Sequence, residues 1–322
     1  FAVLGTAVMF LVSKFNYQRL RGAGKALIYV SVILLILVII PHNPIAVTVK
    51  GATRWLRIGI QFQPSEVAKF TMILMFARLT RNYGARAEKF RFGVLGFGTA
   101  MLGILIPLAL EKHLSAILLM GMVGVVMMFV AGTRARWLLA GAGAAAVFVV
   151  VYVSLMGYAG DRITAWLHPE RDPGDTGYQI LQSLYAIGSG GLFGLGFGKS
   201  RQKYLYLPFQ YNDYIFAVIC EELGFFGAAA IVMLLSALIL RGYWIALHAQ
   251  DRFSTVLASG LVTLIAVQAV LNLGVVTNLL PSTGIALPFF SYGGTALAVN
   301  LGEMGIVLSI SRHRGERKIL EE

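Results

Sequence analysis

The sequence predicts an all-α polytopic membrane protein, and three observations carry that prediction. Apolar runs of about 20 residues, the length that spans a bilayer core, recur from one end of the chain to the other. The 322 residues are 57% hydrophobic and only 13% charged, with a mean hydropathy of +0.75, whereas soluble domains carry about 25% charged residues. The basic residues gather on alternate connections, as the positive-inside bias demands.

Nine transmembrane helices are predicted, near 1–13, 26–41, 66–80, 93–110, 115–131, 137–157, 214–240, 253–275 and 291–310. The first starts at Phe1 in the middle of an apolar run, with no Met and no basic n-region. That is unlike a signal peptide and reads as a chain lacking an earlier helix. Alternation of sides collects Lys14, Arg19, Arg21 and Lys25 with Arg78, Arg81, Arg86, Lys89 and Arg91. Arg134, Arg136, Arg241 and Arg252 join them, as do Arg312, Arg314, Arg317 and Lys318. This side is therefore expected to be cytoplasmic, and the C-terminus with it. The formal charge of +12 then reads as membrane orientation, and no nucleic-acid partner is expected. Cys220, the single cysteine, falls inside a predicted helix and reads as a packing residue.

A single transmembrane domain, 1–322, is expected, with an extracytoplasmic loop at 158–213. Two outer segments are too structured to be plain connectors. His42 to Lys69 holds RWLRIG, which mixes Trp and Arg with aliphatics and suits the membrane interface. In the long loop, DTGYQILQSLYAIG reads as an amphipathic helix with Ile180, Leu184 and Ile187 on one face. The GGLFGLGFG that follows reads as a tight turn-rich loop.

Several side chains are candidates for chemistry, each with a plain structural alternative. GLGFGKS is not a Walker A loop, because Phe193 stands where the first glycine is needed. It is either a hinge or a backbone cradle for phosphate, aided by Lys199, Arg201 and Lys203. Asp213 opens the run DYIFAVICEELGFFG, either as a helix cap or as a general base. Glu221 and Glu222 fall about 12 Å deeper at 1.5 Å per residue, as a structural pair or as functional intramembrane acids. Glu66 and Lys69 share a helix face and form an ion pair on the simplest reading. Glu111, Lys112 and His113 meet at another helix boundary. No set of His, Cys, Asp and Glu has metal-ligand spacing. The stretch NLLPSTGIALPFFSYGGT breaks the backbone before the last helix, as a re-entrant plug, a cavity wall or both.

Together, RWLRIG…QPSEVAK, GYQILQSLYAIGSGGLFGLGFG, the run through NDYIF and EELGFFG, and LPSTGIALPFFSYGG resemble the SEDS family of shape, elongation, division and sporulation proteins. The resemblance covers about residues 5 to 312 and is closer to the FtsW/SpoVE branch than to RodA. It implies ten transmembrane helices, of which the first is missing here. It also implies polymerisation of lipid II at the outer face of the bacterial cytoplasmic membrane, with a class B penicillin-binding protein as partner. The family's essential aspartate falls on Asp213, its outer-segment tryptophan on Trp55, and the acid and base of its QPSE..K on Glu66 and Lys69. Phe209, Tyr211 and Asn212 depart from the family pattern before Asp213, and Lys112 and His113 depart from its QPDLGT.

On this resemblance Asp213 removes the acceptor proton, since a carboxylate of ordinary pKa, about 3.9, is ionised and available. Arg54, Lys69, Lys199 and Arg201 are expected to stabilise the departing diphosphate, with Trp55, Glu66 and Glu221 also contacting substrate. A divalent cation, Mg or Mn, would share that task. Two other readings stay open: a lipid II flippase, which intramembrane Glu221 and Glu222 would suit, and a non-catalytic scaffold for the transpeptidase.

Overall fold

The computed structural model describes residues 1–40, 43–49, 52–141, 143, 164–171, 176–204, 207–208 and 210–313. The predicted helix at 137–157 falls mostly outside them, apart from a helical run at 135–141. Phe209, Arg314, Arg317, Lys318 and parts of the 158–213 loop also lie outside the described residues. Two compact units emerge: Phe1–Leu139, Ile239–Ile265 and Gly294–Glu322 form the first, and Ala140–Leu238 with Ala266–Gly293 the second.

In chain order the principal helices are α1 (Ala2–Lys14), α2 (Leu20–Ile39), α3 (Pro64–Tyr83), α4 (Phe97–Leu110) and α5 (Leu114–Val130). They continue with α6 (Thr176–Gly190), α7 (Ile215–Leu247), α8 (Arg252–Val276) and α9 (Gly294–Arg312). Five helical stretches among the described residues are long and apolar enough to cross a membrane: Tyr17–Ile39, Arg91–Leu110, Ile215–Leu247, Arg252–Val276 and Gly294–Arg312.

In the first unit α1 and α9 run parallel. Gly5 lies against Ala298 and Leu301, and Gly305 against Met9 and Val12. The missing side chains let the two backbones meet. Helix α3 runs antiparallel to α2: Gly24 faces Leu74 and Arg78, and Ser31 and Thr71 share a buried 2.8 Å hydrogen bond. Pro64 opens α3, where its missing N–H costs nothing, and Glu66 follows in the first turn.

RWLRIG is extended in this structure. It belongs to a three-stranded antiparallel sheet, β1 (Ala46–Val49), β2 (Ala52–Ile58) and β3 (Ile60–Phe62), in the order β1-β2-β3. Val47 pairs with Trp55 and Leu56 with Phe62. Val47, Thr48, Thr53 and Ile58 favour extended backbone, and Gly59, at φ 73°, turns β2 into β3.

In the second unit α6 is the amphipathic helix anticipated. Ile180, Ser183 and Ala186 are buried, with Leu184 and Ile187 half-buried. Ala186 joins a core with Leu207, Tyr214, Ala217, Val218, Cys220 and Leu287, and Ser183 Oγ donates to the Val276 carbonyl at 2.8 Å. Cys220 packs as an apolar residue there.

Candidate active site

Asp213 precedes α7 instead of opening it. The helix begins at Ile215, and Asp213 sits half-buried in the turn before it. The backbone around it is pinned to the stretch that follows α8. The amide of Asn272, 1% exposed, donates to the Asp213 carbonyl at 2.6 Å and to the Ile285 carbonyl at 2.7 Å. Both partners are carbonyl oxygens, so the amide must present its NH2 group to them. Ser291 Oγ donates to the Asn212 carbonyl at 2.5 Å and accepts from Leu287 N at 2.7 Å. Tyr292 N donates to the Tyr211 carbonyl at 2.7 Å. A side chain on Gly284, at φ 67°, would come within 3.4 Å of Asp213 Oδ2. The proline- and glycine-rich stretch before α9 thus lies against Asp213.

The glycine-rich loop is held by α7 itself. That helix is broken at Gly224, φ 66° and ψ −168°, and the break exposes backbone groups that the loop satisfies. Leu195 N donates to the Glu221 carbonyl at 2.9 Å and Gly196 N to that of Glu222 at 3.0 Å, while Phe225 N donates to the Gly191 carbonyl at 2.9 Å. A Cβ on Gly194 would lie 2.2 Å from the Glu222 carbonyl oxygen, so this approach requires glycine.

The two glutamates complete the anchor. Glu221, 1% exposed, accepts from Ser200 Oγ, from Arg201 N at 3.0 Å and from Gln202 N at 3.3 Å. Glu222 accepts from Gly198 N at 2.9 Å, Ser200 N at 3.2 Å and Lys203 Nζ at 2.8 Å. The hydrogen bond that Lys203 donates to Glu222 raises the Lys203 pKa, so its ammonium stays charged. The amides suited to cradling phosphate are therefore occupied by the chain's own carboxylates. Glu221, expected to contact substrate, is instead placed as a buried anchor of the loop. Lys199 and Arg201 are exposed, and neither is paired with a carboxylate among the described residues.

Arg54, Trp55, Glu66 and Lys69 belong to the first unit, whereas Asp213, Lys199, Arg201 and Glu221 belong to the second. Arg54 and half-buried Trp55 are on β2, and Arg54 Nη2 donates to the Lys112 carbonyl at 2.7 Å. Lys69, 4% exposed, pairs with Glu66 at 2.7 Å, as their spacing anticipated. Burial lifts the Glu111 carboxyl to about 7, partly opposed by Arg54. Burial, with Arg54 and Lys69, lowers His113 to about 3, which leaves its imidazole neutral. Sequence reasoning missed Asn272, Ser200 and Ser291. Asn272 in the apolar run VLNLGVV was the one detectable signal, as a buried amide must find partners.

The FtsW/RodA/SpoVE family, described as cell cycle proteins, matches residues 1–316. A probable peptidoglycan glycosyltransferase FtsW of Geobacter metallireducens is 42% identical over 97% of this chain and 83% of its own. Stage V sporulation protein E of Bacillus subtilis is 40% identical over 97% of this chain and 85% of its own. A solved chain, from a structure described as a peptidoglycan synthase complex coordinating polymerization and crosslinking, superposes with a TM-score of 0.83. It shares 30% identity and covers 98% of this chain and 88% of its own.

Proposed function

The chain belongs to the FtsW/RodA/SpoVE family, and from that membership and the site we propose that it polymerises lipid II into glycan strands with Asp213 as general base. It is a multi-pass membrane protein and a peptidoglycan glycosyltransferase, as its relatives are named. The observation that carries the mechanism is the fixation of Asp213, held through its own carbonyl by a buried amide and walled by a glycine.

An acceptor sugar's 4-hydroxyl attacks the anomeric carbon of the donor. The new C–O bond forms as the bond to the polyprenyl diphosphate breaks, with inversion. The hydroxyl proton passes to the Asp213 carboxylate, and the leaving diphosphate takes the bonding pair. Positioning is where most of the rate is gained, since a misplacement of about 1 Å costs about 100-fold, and the Asn272 and Ser291 bonds oppose such drift. In the second unit, which carries Asp213, exposed Lys199 and Arg201 offer positive charge to anionic groups of substrate; within the first unit, Lys69 and Arg54 are the corresponding cations. Glu66 holds Lys69, and Trp55 on β2 supplies an aromatic ring suited to stacking on a sugar. Among the described residues no group of three His, Cys, Asp and Glu side chains could hold a metal. A divalent cation, Mg or Mn, carried by the substrate's own diphosphate with one or two carboxylates would share charge neutralisation with the lysines and arginines.

The alternating basic residues support an outer position for Asp213 and an inner C-terminus. The likeness to a chain of a peptidoglycan synthase complex supports a class B penicillin-binding protein as partner. Polymerisation of purified lipid II by the full-length protein, with and without that partner, tests the reading. Asp213→Asn should abolish the strands while leaving the protein folded. Strands of normal length from this variant would remove Asp213 from the chemistry.

A further inference from the structure

The first unit buries a carboxylate that the proposed mechanism does not use. Glu303 is 3% exposed, and neither of its oxygens has a hydrogen-bond partner. One turn earlier Asn300, 6% exposed, also leaves its Oδ1 unpaired. Gly302 and Gly305 take the face of α9 turned to α1, against Val8, Met9 and Val12. Helical spacing puts Asn300 and Glu303 on a different face. Helix α9 also packs against α3, from which Lys69 and Glu66 act electrostatically on Glu303.

Lys69 is the complementary group. Its ammonium has three N–H donors, is 4% exposed, and has Glu66 as its one carboxylate partner among the described residues. A buried carboxylate without donors is costly, as is a buried ammonium with donors to spare. Each group lacks what the other offers. We infer that Glu303 is a positioning residue for Lys69, holding its ammonium across a gap that one water would bridge. The grip fixes where Lys69 points, and by the function proposed above Lys69 points at an anionic group of lipid II.

The test uses the full-length protein and two readouts, thermal midpoint and binding of purified lipid II. In the wild-type background Glu303→Leu should weaken lipid II binding fivefold or more. In a Lys69→Met background it should change binding less than twofold, because its effect passes through Lys69. An equal weakening of binding in both backgrounds would overturn the inference. The midpoint needs no substrate: Lys69→Met strands two carboxylates, so adding Glu303→Leu should recover several degrees. Strict additivity of the two midpoint shifts would also overturn the pairing. Should Lys69→Met not fold, Glu66→Gln replaces it. Glu303 is then the ammonium's sole carboxylate, and Glu303→Leu should cost more degrees than it does in wild type. Midpoint coupling with unchanged lipid II binding would uphold the Glu303–Lys69 pairing and refute the substrate role of Lys69.

Discussion

Replacing Asn272 by leucine removes the support of Asp213 without touching the carboxylate. The substitution keeps the heavy-atom count and branching, with bulkier methyl groups in place of the amide, and deletes the two hydrogen bonds, 2.6 and 2.7 Å, to the Asp213 and Ile285 carbonyls. Each stranded carbonyl costs about 1–3 kcal/mol in a protein interior, whereas hydrogen bonds in membrane proteins average about 0.6 kcal/mol. The expected loss of stability is therefore about 1–4 kcal/mol. Activity should fall further than stability. With its carbonyl released, Asp213 is free to drift, and about 1 Å is worth about 100-fold in rate. Asn272→Asp should be worse than leucine, because it turns an acceptor toward two acceptors. Strand synthesis from lipid II, corrected for the folded fraction measured by thermal unfolding, reports both effects. Wild-type turnover from folded Asn272→Leu would refute the claim that this amide fixes the base.

Two further substitutions bear on the loop and on pH. Gly194→Ala puts a Cβ 2.2 Å from the Glu222 carbonyl oxygen at φ 78° and should cost about 2–5 kcal/mol, read as a lowered thermal midpoint. Gly198→Ala, at φ 79° with its nearest neighbour 4.0 Å away, should cost only the backbone strain, about 1–2 kcal/mol. Glu111, raised from 4.5 to about 7 by burial, favours the folded state most below pH 4.5 and loses that contribution as pH rises through 7. Its size is about 1–2 kcal/mol after allowing for partial exposure. His113, lowered from 6.5 to about 3, works the other way: its contribution is complete above pH 6.5 and is lost as pH falls through 3. The two slopes oppose each other between pH 4.5 and 6.5. Glu111→Gln should therefore make the midpoint climb with pH across that window, where wild type is flatter.

Apart from 137–157, which lies mostly outside the described residues, the predicted helices were legible as long apolar runs, with ends shifted by up to about seven residues, as when α2 began at Leu20 and α7 ran on to Leu247. The β-sheet was not legible, because Arg54 and Arg57 interrupt the apolar alternation of β2 and the strands are short. The break at Gly224 was hidden for another reason. A glycine inside an apolar helix is ordinary in membranes, and only the approach of Gly194 makes this one necessary. Around Asp213 the sequence identified the carboxylate but not its supports, because Asn272 and Ser291 are brought to it by loops whose path no periodicity encodes.

The same limit applied to Glu221 and Glu222, and it suggests an experiment of its own. Sequence shows that a carboxylate exists but not which donors it meets. Here they are four backbone amides, a serine hydroxyl and one lysine. A nest of amides beside a lysine is an anion site in any protein, and in this one the anion is built in. Truncation of Glu222 to alanine should leave the Gly198 and Ser200 amides and the Lys203 ammonium around a vacant anion-sized space. Stability should drop by about 1–3 kcal/mol. Inorganic phosphate should then restore part of the thermal midpoint in the variant while leaving wild type unchanged. An equal response of both proteins to phosphate would mean that the loop amides do not converge on the Glu222 carboxylate, and the phosphate-cradle reading of GLGFGKS would return.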